Sequence, residues 1–273
     1  MAYIHIMQDT VNKNRKRENL INKILWIIII VLLIMILLEL LFHFFIAPSI
    51  KINSIVVESD LNLNEQEIIK LAGIDKTAYY FFLDTEEVKA RLEEVPVIKK
   101  ADVKKYFPNM LKLTVKAREP LAVTLIEDGN RSVPAILDNE GIIFQIGKRD
   151  LQIDLPVISG FQFRDYRIGM RLPEKLYPLF SQLDTIRDKS MDLYRFISEI
   201  KVIPIGSGDY EQLFYMIPYK TRIRFGNKVS DKMLTYAIIV LDMFVQQGIE
   251  DKIEEIDFRT KEIVFQDKGG TIN

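Results

Sequence analysis

From Ile24 to Leu38 every residue is apolar, and with Glu39 and His43 tolerated the run extends to Ile46. As a helix, residues 24–46 measure roughly 34 Å at ~1.5 Å per residue, enough to cross a hydrocarbon core ~30 Å thick. A secretory signal would have a shorter apolar stretch and a small-residue cleavage site. Here the run ends in Phe44-Phe45-Ile46-Ala47-Pro48, which reads as an uncleaved membrane anchor.

Lys13, Arg15, Lys16, Arg17 and Lys23 crowd the near side of the run, whereas Lys51 on the far side stands with Glu58, Asp60 and Glu65. The positive-inside rule places residues 1–23 in the cytoplasm as a tail and everything after Pro48 outside, a single-pass type II arrangement. Orientation is the simplest role for the basic run, and a lipid or nucleic-acid site is the alternative. Glu39 and His43 stand four apart and share a helix face. They lie near the outer end, where snorkelling to the interface competes with pairing to a partner helix.

Lys plus Arg total 37 against 38 Asp plus Glu, a net charge of -1, so no overall field recommends a nucleic-acid partner. The chain has no cysteine and two histidines, His5 and His43. That excludes disulfides, thiolate nucleophiles and Cys/His zinc sites. With the anchor removed, the remaining length has room for one large or two small domains, and two small ones are the starting expectation.

Beyond the anchor, Ile50, Ile52, Ile55 and Val57 predict a strand whose alternation slips once at Asn53-Ser54, as a bulge would cause. Asn64 with Glu67 predicts a capped helix start, Ile68, Ile69, Leu71 and Ala72 an apolar face, and Gly73 its end. Asp84 with Glu87 repeats the start signal, Val88, Leu92 and Val95 recur at helical spacing, and Pro96 forbids continuation. Val97 to Lys105 is β-rich, Phe107-Pro108-Asn109 turns the chain, and Leu111, Leu113 and Val115 alternate strictly. The order is strand, helix, helix, strand, strand.

Further on, Leu121 to Ile126 predicts a strand, and Pro134–Leu137 with Ile142–Phe144 a hairpin about Asp138-Asn139-Glu140-Gly141. Leu176, Leu179, Leu183 and Ile186 mark an amphipathic helix, with Pro178 tolerated in its first turns. Glu199–Ile205, Leu213–Ile217 and Thr221–Phe225 are strands between turn-forming clusters. Ser230 caps a helix running through Met233, Leu234, Ala237, Ile238, Leu241, Phe244 and Val245 to Gly248. A last strand is expected over residues 256–265.

Few residues suggest chemistry. Gly206-Ser207-Gly208 lacks the frame of a nucleophile elbow and any nearby histidine, and reads as a turn. Glu93-Glu94 and Glu254-Glu255 could be imagined as paired catalytic carboxylates, but adjacent side chains point in different directions, so they read as solvated faces. Asp257 and Arg259 share one face of a strand, where an internal pair and a binding role are equally open. No phosphate loop or calcium loop occurs. No catalytic, cofactor or metal residue is assigned, and no small-molecule substrate is implied.

The Pro96-Val97-Ile98 step, Ala101-x-Val103-x-Lys105, Pro108, Leu111-x-Leu113-x-Val115 and Arg118-x-Pro120-x-Ala122, placed directly after a single anchor, resemble the POTRA domain of the FtsQ/DivIB family. The Asp-x-x-Gly turn, the Leu155-Pro156-x-x-x-Gly160 segment and the closing Ile256-Asp257-x-Arg259 extend the resemblance to the far end. Ser59, Val97, Ala117 and Thr260 depart from the usual residues. The resemblance implies an α+β protein with a transmembrane helix (24–46), a POTRA domain (50–119) of order β-α-α-β-β, a mixed β-domain with two flanking helices (120–267) and a short tail (268–273). It implies a non-catalytic divisome scaffold in the cell inner membrane, concentrated at the septum. FtsB/DivIC-like and FtsL-like partners would link it to the septal peptidoglycan synthase complex. Their docking surface, carried over by position, is Ile256, Asp257, Phe258, Arg259, Thr260, Ile263 and Phe265, with Tyr236 on the exposed side of the Ser230–Gln247 helix. An unpaired edge strand suits such capture, since a partner strand gains main-chain hydrogen bonds there. Charged replacement of Phe258, Ile263 or Phe265 is then expected to abolish capture, unless these residues fill the core. The alternative is a POTRA-containing envelope assembly or secretion factor acting as a polypeptide-binding module. It would need a many-stranded membrane barrel, for which about 150 residues are too few.

Overall fold

A computed structural model describes residues 2–75, 77–128, 131–147, 155–161, 166–206, 208–260 and 263–268. The chain folds as two compact units, one built from Met1–Glu58, Leu63–Arg91 and Asp102–Thr114, the other from Ser59–Asn62, Leu92–Ala101 and Val115–Asn273.

In the first unit, helix α1 (Ala2–Leu41) carries tail and anchor as one element. It continues through a π turn (Phe42–Ile46) and a 3-10 turn (Ala47–Ser49) that contains Pro48. Within residues 22–49 the most apolar 18-residue stretch has a mean hydropathy of 3.3 and no buried residue, as suits a lipid-facing helix.

The expected strand from Ile50 starts later, as β1 (Ser54–Ser59). The backbone of residues 50–52 is occupied elsewhere: Tyr80 N donates to Ile50 O and Ile52 N to Ala78 O, both at 2.9 Å. The slip at Asn53-Ser54 is thus a change of partner, with Lys51 left in an isolated bridge to Tyr79.

Helix α2 (Glu65–Leu71) opens with the anticipated capping box, Asn64 Oδ1 accepting from Glu67 N at 2.8 Å and Glu67 Oε2 from Asn64 N at 3.0 Å. At the start of α3 (Thr85–Glu93), Asp84 Oδ1 accepts from the amides of Glu86 and Glu87. Strands β2 (Ile98–Tyr106) and β3 (Met110–Ala117) complete a three-stranded sheet of order β1-β3-β2. Leu111, Leu113 and Val115 are buried while their neighbours are not, which is the period-2 pattern of a half-buried strand.

The second unit holds β4 (Ala122–Asp128), β5 (Arg131–Leu137), β6 (Ile143–Ile146) and β7 (Val157–Ser159). Helices α4 (Tyr177–Lys189) and α5 (Met191–Phe196) follow, then β8 (Ile197–Ile205), β9 (Asp209–Met216) and β10 (Arg222–Phe225). Helix α6 (Asp231–Gln246), β11 (Ile253–Asp257) and β12 (Val264–Asp267) close the chain. The strands form one open sheet, β12-β11-β10-β9-β8-β7-β4-β5-β6. The pairs β4–β7, β7–β8 and β10–β11 are parallel; the β7–β8 connection carries α4 and α5 and the β10–β11 connection carries α6, whereas β4 and β7 are joined through strands β5 and β6.

The long helices α4 and α6 flank the sheet, with α5 a short link into β8. Leu179, Phe180, Leu183 and Ile186 of α4 and Leu234, Ala237 and Leu241 of α6 share one core with Ile158, Ile200, Phe214, Ile223 and Ile256 of the sheet. Gly160 sits at φ +90, and a Cβ there would lie 2.0 Å from Val202 O, so only glycine lets β7 leave the sheet this closely. Arg118 bonds Pro96 O at 3.0 Å and the buried Asp138 carboxylate at 2.5 Å, while Asp138 Oδ1 accepts from the amides of Glu140 and Ile142 and shapes the β5–β6 turn.

The single strand expected over residues 256–265 is instead a hairpin. β12 folds back antiparallel on β11, with Ile256 opposite Phe265 and Asp257 opposite Val264. Asp257 Oδ1 accepts from Arg259 N at 2.9 Å, a local turn that competes with continued strand geometry. Lys261 and Glu262, inside the expected strand, lie outside the described residues.

Candidate partner-binding edge

The register between β10 and β11 sets Arg222 beside Glu255, Ile223 beside Ile256 and Arg224 beside Asp257. Alternation sends Ile223 and Ile256 into the core, both fully buried, and turns Arg222, Arg224 and Glu255 to the opposite face. There a continuous ion ladder forms. Arg222 pairs with Glu254 at 2.9 Å and Glu255 at 2.8 Å. Arg224 pairs with Glu255, and with Glu211 of β9 at 2.9 Å. Arg259, just past β11, also reaches Glu211 and holds Asp257 at 2.5 Å.

Burial alone would raise the Glu255 carboxyl, but hydrogen bonds from Arg224 and Arg222 outweigh it and hold the group below the usual carboxylate range. Asp257 is likewise depressed, burial opposing and the Arg259 side chain and amide prevailing. Arg259 is raised by its bonds to Asp257 and Glu211. The ladder therefore stays charged at neutral pH and pins the turn after β11 to the sheet.

Two edges terminate the sheet, and they differ. β6 is covered where it begins: Ile143 N donates to Met170 O at 2.8 Å, Gly169 N to Ile143 O at 2.7 Å and Leu172 N to Gly141 O at 2.8 Å. β12 pairs with β11 on one side, and among the described residues no strand lies on its other side. Between ladder and edge runs a cleft of about 210 Å³ lined by Arg224, Glu255, Asp257, Arg259 and Val264–Gln266.

Helix α6 begins at Ser230, whose Oγ accepts from Met233 N. Its buried stripe, Leu234, Ala237 and Leu241, leaves the opposite stripe apolar as well: Tyr236, Ile239 and Met243 are 55%, 50% and 50% exposed. Tyr236 meets Phe258 edge to face at 6.2 Å between ring centroids, and Phe258 lies 5.5 Å from Phe225. Phe265 of β12 meets Phe244 of α6 at 6.1 Å. Aromatic contacts thus join the helix to the hairpin.

Of the residues expected at the surface, Tyr236, Arg259 and Thr260 are exposed and Asp257 is partly so. Ile256 is not available, since its side chain is wholly in the core. Phe258, Ile263 and Phe265 are half-buried against that core, so charging them would disturb packing as well as any docking. Sequence reasoning did not single out Glu211, Arg222, Arg224, Ile239 or Met243. The Arg222-x-Arg224 alternation opposite Glu254-Glu255 was a readable signal for the ladder, whereas Glu211 belongs to it only through strand register. Glu254 and Glu255 serve the ladder, Glu255 being buried by its arginine partners in place of the expected solvated face, and Glu93 Oε1 accepts from Ala101 N at 3.0 Å. Ser207 lies outside the described residues.

Residues 50–118 match the family model "POTRA domain, FtsQ-type". Cell division protein FtsQ of Syntrophotalea carbinolica is 32% identical over 218 residues, covering 70% of this chain and 74% of that protein. Cell division protein FtsQ of Geobacter sp. is 26% identical over 217 residues, covering 79% and 76%. Cell division protein DivIB of Bacillus anthracis is 25% identical over 268 residues, covering 96% and 93%.

Proposed function

This chain belongs to the FtsQ/DivIB family of cell-division proteins, and from that premise we propose that it is a non-catalytic scaffold of the division septum. Its N-terminus faces the cytoplasm and its bulk lies outside. There it captures an FtsB/DivIC-like partner, itself paired with an FtsL-like protein, and so links early division proteins to septal peptidoglycan synthesis. The partner adds a strand to β12 and rests an apolar face on Tyr236, Ile239 and Met243.

The observation that carries this reading is that β12 ends the sheet among the described residues, beside a solvent-facing apolar stripe. Main-chain bonds at the edge supply affinity and the stripe supplies selectivity. The ladder behind them fixes the hairpin in advance, which lowers the ordering cost of binding.

The double variant Ile239→Lys/Met243→Lys alters half-exposed side chains and leaves the core intact. It is expected to weaken partner capture by at least about tenfold, or ~1.4 kcal/mol, in a titration of the full chain. Folded variant that binds with unchanged affinity overturns the proposed surface. In cells, depletion is expected to give filaments or chains, and a fluorescent fusion to gather at septa; normal division with uniform fluorescence overturns the role.

A further inference from the structure

The first unit carries an aromatic cluster that the scaffold role leaves unused. Tyr79-Tyr80-Phe81-Phe82 forms the loop before α3, and the β2–β3 turn adds Phe107. Phe82 is 52% and Phe107 73% exposed, large apolar rings with little protein around them. The loop is fastened to the point where the chain leaves the anchor, through Tyr80 N to Ile50 O and Ile52 N to Ala78 O. Its rings also touch the anchor itself: Phe81 meets Phe42 at 5.1 Å and Phe82 meets His43 at 5.6 Å between centroids, both edge to face.

These contacts set the depth of the loop. Phe42 stands about 27 Å beyond Ile24 at ~1.5 Å per residue, close to the outer boundary of a ~30 Å hydrocarbon core. Rings in contact with Phe42 and His43 therefore lie at that boundary. Tyrosine and other amphipathic aromatics favour this layer, with the ring among acyl carbonyls and the hydroxyl toward water. Two ammonium groups stand beside the tyrosines, Lys51 Nζ 6.0 Å from the Tyr79 centroid and Lys105 Nζ 5.6 Å from that of Tyr80. Lysines so placed keep their charge among headgroups while their stems cover apolar surface.

We propose that the Tyr79–Phe82 loop and Phe107 form a lipid-interface foot, seated in the membrane that the anchor spans. The foot holds the first unit against the bilayer in place of a free tether. The occupant of this surface is lipid, because the loop's backbone is hydrogen-bonded to the anchor's exit and its rings reach the anchor's last turn.

The proposal rests on the anchor crossing the bilayer, and the test separates the two. The chain has no cysteine, so single nitroxide labels can be placed by Phe82→Cys and Phe107→Cys, with Leu33→Cys in the anchor and Lys232→Cys on exposed α6 as references. The full chain is reconstituted in phosphatidylcholine/phosphatidylglycerol vesicles, and collision with oxygen is compared with collision with a water-soluble nickel chelate. Labels at 82 and 107 are expected to lose nickel accessibility and gain oxygen accessibility relative to 232, at intermediate depth between 232 and 33. Labels at 82 and 107 as water-accessible as 232, with 33 embedded, overturn the foot and leave the anchor standing. A water-accessible label at 33 overturns the anchor instead. Protection at 82 and 107 that disappears on dilution with lipid assigns the surface to a second copy of the chain and also overturns the foot.

Discussion

The two edges of the nine-stranded sheet are built from the same backbone and end differently. At β6 the segment from Gly169 to Leu172 takes up the amide and carbonyl of Ile143, where the strand begins, and the carbonyl of Gly141 just before it. At β12 no further strand follows among the described residues, and side chains supply stability instead, through the ladder from Arg222 to Arg259. An edge closed by its own chain cannot recruit a strand, whereas an edge stiffened from one face and left open on its side can. The difference is what the proposed docking at β12 rests on.

The largest test of this contrast is Arg224→Ala. It removes the guanidinium that the buried Glu255 and Glu211 share, while Glu255 keeps Arg222 and Glu211 keeps Arg259, so the loss of its charge-assisted bonds is expected to cost about 2–3 kcal/mol of stability in urea unfolding. A loss below 1 kcal/mol would show that the ladder does not stiffen the open edge. Next is Gly169→Val at the closed edge. Gly169 has φ +85, a conformation that costs a β-branched residue about 1–3 kcal/mol, so the cover should loosen and β6 amides should exchange faster. Partner capture is expected to be unchanged, and its loss would mean that docking is not confined to β12.

The smallest effect is that of acid. Glu255 and Asp257 have folded pKa values below their unfolded ones, so they bind protons less readily when folded and stabilise the protein above the ordinary carboxylate range. That contribution is present at neutral pH and is lost as pH falls below about 4. Hydrogen exchange near that pH is expected to accelerate in β11–β12 before β6. Simultaneous acceleration at both edges would remove the distinction.

Much of this molecule was readable before folding. The anchor follows from an uninterrupted apolar run, since bilayer thickness alone sets the length required. Helices α2, α3 and α6 begin where Asn64, Asp84 and Ser230 stand, because a cap is satisfied within one turn of chain. Strand β3 showed its buried face through strict alternation. Ile256 read correctly as strand and wrongly as surface. Its exposure depends on α6 covering the β10–β11 face, a contact that periodicity does not contain.

The sequence by itself therefore determined what is set by near neighbours: the membrane helix, the caps, the order of helices and strands, and the absence of cysteine chemistry. Tertiary structure decided that residues 253–267 form a hairpin with only β12 at the edge, and that Glu211 joins arginines across β10. It also decided that the Tyr79–Phe82 loop lies against the anchor's last turn. Each of these depends on which distant segment supplies a hydrogen-bond or packing partner, and a local pattern fixes a residue's face without fixing what comes to meet it.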